Sequence, residues 1–150
     1  MEKYNQFKFF GTWIRATHRL DDLFPSFIEL LEELEKGGSL SISKDFKDES
    51  TWNDELLHDL IDALNEYAPP FCYFGAHEGD GSDFGYWVDI NYIEDCTHSC
   101  ELLQTSDLAE IPGDFCGDAV VISDHGNMSL YRAGIDSKGE QTLTEIWAVV

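Results

Sequence analysis

The apolar positions of the chain recur with different spacings, and each change of spacing marks an element. Residues 4–18, YNQFKFFGTWIRATH, are aromatic and β-branched and favour extended structure, with Gly11 interrupting them where a bulge or bend would sit. One bent strand or two short ones are expected there. In LDDLFPSFIELLEELEKGG, residues 20–38, Phe24, Phe27, Ile28, Leu31 and Leu34 fall at helical spacing while Glu29, Glu32, Glu33 and Glu35 gather elsewhere. Pro25 suits the first turn of that helix, and Gly37 and Gly38 end it. SLSIS, residues 39–43, reads as a short strand. A second amphipathic helix follows over 51–68. Thr51 or Asn53 caps it, Leu56, Leu57, Leu60, Ile61 and Leu64 form one face, and Pro69 and Pro70 close it. Its other face carries Asp54, Glu55, His58, Asp59, Asp62 and Glu66.

Beyond the prolines the period shortens to that of strands. FCYFGAH (71–77) and FGYWVDI (84–90) flank a glycine-rich stretch and predict a hairpin with a loop of several residues. Residues 91–117 carry the weakest pattern: a short helix around YIEDCTHSCELL and a loop at IPGDFCG. AVVIS, MSLYRA and LTEIWAVV, separated by the turn formers DHGN and DSKG, predict a C-terminal meander. The fold class is therefore α+β: a single domain over 1–150, with an antiparallel sheet, a C-terminal β-meander and two amphipathic helices.

Composition agrees with a packed core, since 43% of the 150 residues are hydrophobic and 13% aromatic. The first residues carry charges throughout and lack a continuous apolar run, which places the chain in the cytoplasm, that of the host cell if a phage encodes it. The four cysteines there are expected to be reduced thiols. Charge changes the picture most. The net charge is −21, and its distribution is uneven. Lys3, Lys8, Arg15, Arg19, Lys36, Lys44 and Lys47 come early, Arg132 and Lys138 come late, and nothing between Asp48 and Tyr131 is basic. Like charge of this density opposes the compact state, so its retention calls for a basic partner. Direct nucleic-acid binding is excluded by the lack of a Lys/Arg stripe to neutralise phosphates, and acidic membrane surfaces by the same electrostatics.

Several stretches invite a chemical reading. In GDGSDFG the glycines 79, 81 and 85 do not have G-x-G-x-x-G spacing, and Asp80 and Asp83 would repel a phosphate. The same stretch half-matches a calcium repeat, but Glu78 stands where a glycine belongs and a single copy is present; a turn lined by solvated carboxylates is favoured. CTHSC brings Cys96, His98 and Cys100 together without the C-x₂-C spacing of a zinc knuckle, so packed thiols are favoured over a metal site. The five histidines all have carboxylate neighbours, which in so acidic a chain carries little information, and no nucleophile elbow or H-E-x-x-H is present. No catalytic residue, metal or cofactor is assigned. DHGN, residues 124–127, resembles a metal-ligating element of phosphomutases related to alkaline phosphatases, yet it lies between two strand patterns, where Asp, Gly and Asn form turns.

FGAHEGDGSDFGYW, VVISDHGNMSLYR and the terminal EIWAVV together resemble a type of small acidic protein found in phages and mobile elements, a likeness spanning roughly the C-terminal half. In size, acidity and aromatic content the chain is also similar to DNA-mimicking anti-restriction and anti-CRISPR inhibitors. That likeness implies an inhibitor presenting carboxylates to the basic nucleic-acid groove of a host defence nuclease or CRISPR effector. The expected contacts are Asp54, Glu55, Asp59, Asp62 and Glu66 on the second helix and Glu78, Asp80 and Asp83 at the hairpin tip, with Trp52, Tyr86 or Trp87 as anchors where exposed. The alternatives are an immunity protein against a basic nuclease toxin, or a small metal-dependent enzyme using the 77–83 and 124–127 loops. Adaptation to a salty cytoplasm would also give an acidic surface, and it predicts unfolding at low salt.

Overall fold

The computed structural model describes residues 9–36, 38 and 41–149. The fold is α+β, with antiparallel sheet, helices and a C-terminal meander. Internal contacts group the chain into two compact units, Phe9–Ala68 with Cys72–Val88 and Pro69–Phe71 with the chain from Asp89 onward.

In the first unit, β1 (Gly11–Ile14), β2 (Cys72–His77) and β3 (Asp80–Val88) form an antiparallel sheet in the order β1-β3-β2. Residues 4–8 of the expected first strand lie outside the described residues. The irregularity sits two residues past Gly11, because β1 pairs Thr12 with Gly85 but Ile14 with Phe84, leaving Trp13 as the extra residue. Its indole N–H donates to the Ser26 carbonyl at 2.8 Å. At Gly85 the two strands approach so closely that an added methyl would collide with the Gly11 carbonyl, which restricts that position to glycine.

Helix α1 (Leu20–Glu35) buries Leu23, Phe24, Phe27, Ile28, Leu30 and Leu31 as its periodicity requires. Pro25 lies one turn further in than expected. Proline has no N–H to donate, and it is tolerated here on an exposed position. Gly37 lies outside the described residues, and the helix closes at Lys36, with the Gly38 N–H donating to the Glu35 carbonyl. Of the strand expected at 39–43, Ser39 and Leu40 lie outside the described residues. Ser41 and Ile42 join no strand, and Ser43–Phe46 is a 3-10 turn. The reason is Glu35: its buried carboxylate accepts from the Ile42 N–H at 2.7 Å, the Ser43 N–H at 3.1 Å and the Ser43 hydroxyl at 2.6 Å, so the backbone bonds to a side chain instead of a neighbouring strand. Helix α2 (Asp54–Asn65) is capped by Asn53, whose side-chain oxygen accepts from the Leu56 N–H at 2.7 Å.

Aromatic rings hold this unit together. Phe27 meets Phe74 and Phe84 edge-on at centroid distances of 5.0 and 5.4 Å, and Phe74 meets Tyr86 at 5.0 Å. Each such buried side chain contributes roughly 1.5–3 kcal/mol through removal from water. Two polar ties fix α2 to the hairpin. The Asn65 side chain accepts from the Phe74 N–H at 2.8 Å and donates to the Phe74 carbonyl at 3.0 Å, standing in for a strand partner on β2. The Tyr86 hydroxyl donates to the Leu64 carbonyl.

The second unit holds α3 (Ile90–His98), β4 (Leu103–Thr105), β5 (Gly117–Ile122), β6 (Met128–Ile135) and β7 (Gln141–Val149) in a sheet of order β4-β5-β6-β7. β5 to β7 are the expected meander. The short helix expected around YIEDCTHSCELL is α3, starting slightly earlier and capped by Asp89, which accepts from the Tyr92 N–H at 3.1 Å; the parallel pairing of β4 with β5 was not expected. DHGN is a hairpin turn, with the Gly126 N–H donating to the Ser123 carbonyl. In β7 the partner of Leu130 is Trp147 and that of Tyr131 is Glu145, so Ile146 is a bulge. That explains why consecutive residues, Ile146 and Trp147, are both buried on one strand. The Trp147 indole N–H donates to the Pro70 carbonyl at 2.7 Å.

Candidate functional site

The carboxylates of α2 come from the half of its sequence that the core does not need. Leu60, Ala63 and Leu64 are buried, while Asp54, Glu55, Asp59, Asp62 and Glu66 are all exposed. At 100° per residue, positions 55, 59, 62 and 66 fall within a narrow sector, so these four form one stripe, and Asp54 stands off it at the N-terminal turn. At a rise of about 1.5 Å per residue the stripe is roughly 16 Å long, with successive charges about 4.5–6 Å apart along the axis. Among the described residues none of the five takes part in an ion pair; the pairs present are Arg19–Asp21, Lys36–Glu33, Lys47–Glu32 and Arg132–Asp118.

The hairpin tip differs from expectation. The turn itself is two residues, Glu78 and Gly79, and the extra length lies in β3: His77 pairs with Asp80 while Ala76 pairs with Phe84, so 81–83 bulge outward. The Ser82 carbonyl in that bulge accepts from the Ala16 N–H at 2.9 Å. Glu78 and Asp80 are exposed. The Asp80 carboxylate accepts from the Ser82 N–H at 3.0 Å and its hydroxyl at 2.9 Å, and these bonds hold it below the ordinary carboxylate range. Asp83 is half-buried, and its Oδ1 is enclosed without a hydrogen-bond partner among the described residues. It presents less charge to the surface than its two neighbours.

The candidate anchors separate. Tyr86 is 1% exposed and belongs to the core, where burial pushes its phenol far above the ordinary tyrosine value; it is not available to a partner. Trp87 is half-buried, with its N–H on the Gly75 carbonyl at 2.9 Å and the His77 ring against it at 4.6 Å. Trp52 is half-buried at the entry to α2.

Among the described residues no three His, Cys, Asp or Glu side chains are grouped as metal ligands would be, whether at 77–83, 96–100 or 124–127. Among them too, no helix is long and apolar enough to cross a membrane. No protein-family model matches the chain, and no curated protein or solved structure matches it either.

Proposed function

We propose that the chain is an acidic inhibitor that mimics the charge of DNA and binds the basic nucleic-acid-binding surface of a host defence nuclease or CRISPR effector in the cytoplasm. The α2 stripe carries the proposal: four exposed carboxylates in line, without an ion pair among the described residues, on a helix whose ends are fixed by Asn53 and Asn65. Ordered charges at helical spacing can occupy a groove built for phosphates, and they hasten encounter with a basic surface. Glu78 and Asp80 extend the same display at the tip.

The test is capture of binding proteins from a host lysate on tagged protein, with DNA as competitor, followed by affinity measurement on the captured enzyme. A nucleic-acid-binding enzyme displaced by DNA, and bound far more weakly at low salt by the Asp59→Lys, Asp62→Lys variant, is the expected outcome. Unchanged affinity of that variant removes α2 from the interface, and failure of DNA to compete removes the mimic.

A further inference from the structure

A cavity of about 430 Å³ opens beside the entry to α2, lined by Leu20, Asp21, Glu49 and Trp52. Its aromatic wall is held rigidly. The Trp52 ring lies parallel to that of buried Phe24, 4.8 Å between centroids and 4° between planes, and its N–H donates to the Phe46 carbonyl at 2.7 Å. One face and the polar edge of the indole are thereby used, and the half-buried ring also lines the cavity. Asp21 and Glu49 stand on the lining with it, and both are exposed. Asp21 meets Arg19 at 3.5 Å, a solvent-exposed pair of the kind that contributes little and yields readily to a competitor. Glu49 has no ion pair among the described residues. A second cavity is lined by Asp45, Thr51, Asn53, Glu55, Leu56 and Asp59, and so takes in two carboxylates of the α2 stripe.

We infer that the Trp52 cavity accepts an arginine side chain of a basic protein. A planar guanidinium stacks on an indole and forks onto carboxylates, which a lysine ammonium does less well, and Leu20 gives its methylene stem an apolar contact. The pocket turns a diffuse attraction into a choice among cations, and so would supply the specific anchor that exposed charges alone do not. The inference rests on the inhibitor reading only in taking the ligand from a basic protein.

The test is calorimetric titration of the full chain, at low salt, with blocked hexa-arginine and hexalysine peptides. The wild type is expected to prefer hexa-arginine by about two- to fivefold, the range set by an exposed cation–π contact. Trp52→Phe should retain most of that preference, and Trp52→Leu should lose it while hexalysine affinity stays the same. Glu49→Gln removes no packing and should reduce the preference on its own, which keeps the test decisive if Trp52→Leu does not fold. Equal affinity for the two peptides, or a preference that survives both Trp52→Leu and Glu49→Gln, overturns the pocket. If in that case Asp59→Lys with Asp62→Lys still weakens both peptides, the pocket falls and the acidic display stands. If neither peptide binds, both fall.

Discussion

Replacing Asp59 and Asp62 by asparagine should make the folded protein more stable. The two carboxylates belong to three like-charge neighbour pairs along α2, Glu55–Asp59, Asp59–Asp62 and Asp62–Glu66, spaced four, three and four residues apart. Each such pair costs a helix about 0.2–0.5 kcal/mol, so relieving all three gives roughly 0.6–1.5 kcal/mol. Asp62 also lies near the negative end of the helix dipole, which adds in the same direction. Little opposes the gain: Asp and Asn have similar helix propensities, and neither residue makes a side-chain hydrogen bond or ion pair among the described residues. For a chain of this size the melting temperature should rise by about 2–4 °C per kcal/mol. Urea unfolding at low salt measures the gain, and repeating it at about 1 M salt, where the Debye length is about 3 Å, should nearly abolish it. A loss of stability at low salt, or a gain that persists at high salt, would refute the claim that the stripe is held against its own repulsion. A loss would also give the carboxylates a structural role and weaken the case for a partner.

Other consequences follow from the polar ties. Asn65→Ala leaves the Phe74 N–H and carbonyl on the outer edge of β2 without their side-chain partner and should cost about 2–4 kcal/mol in urea unfolding; Asn65→Asp, which keeps the acceptor and loses the donor, should fall between. Tyr86 predicts an alkaline limb. Its folded pKa is raised by burial, so the stabilisation is complete below the unfolded tyrosine value of about 10 and is lost as pH rises above it, where the unfolded chain ionises and the folded one does not. Tyr86→Phe should remove up to about 1.4 kcal/mol per pH unit of that slope, read from unfolding midpoints above pH ~10. Identical slopes in the two proteins would place the titration elsewhere.

The clearest elements in the sequence were those whose period and punctuation agreed. Helix α2 combines a leucine stripe with an asparagine cap, and its exposed carboxylates follow directly from the positions the core leaves over; it is shorter than the expected 51–68, because Glu49–Thr51 is a 3-10 turn and the helix ends at Asn65, ahead of Pro69 and Pro70. Helix α3 was faint because its buried face amounts to Ile93 and Cys96. The parallel pairing of β4 had no local signal, being three residues long and dependent on β5. At the tip, glycine content suggested a long loop, whereas the geometry is a two-residue turn plus a bulge bonded to Ala16, a residue sixty-odd positions away in sequence. Asp83 lies in that bulge and is half-buried, which the local sequence does not signal. The Trp52 cavity left one trace, an aromatic residue directly before the helix cap, where a hydrophobic side chain often fixes the chain's angle of entry.

The bulge at Ile146 bears on how the protein behaves at high concentration. Among the described residues β7 is the last strand of its sheet, and a strand of nine residues without an outer neighbour is a template on which further strands can add. The extra residue breaks that template into two short runs whose pleats do not match, and Glu145 sets a charge beside the break. An incoming strand would find no continuous ladder to zip onto, so fibril growth is obstructed at the edge where it would most readily begin.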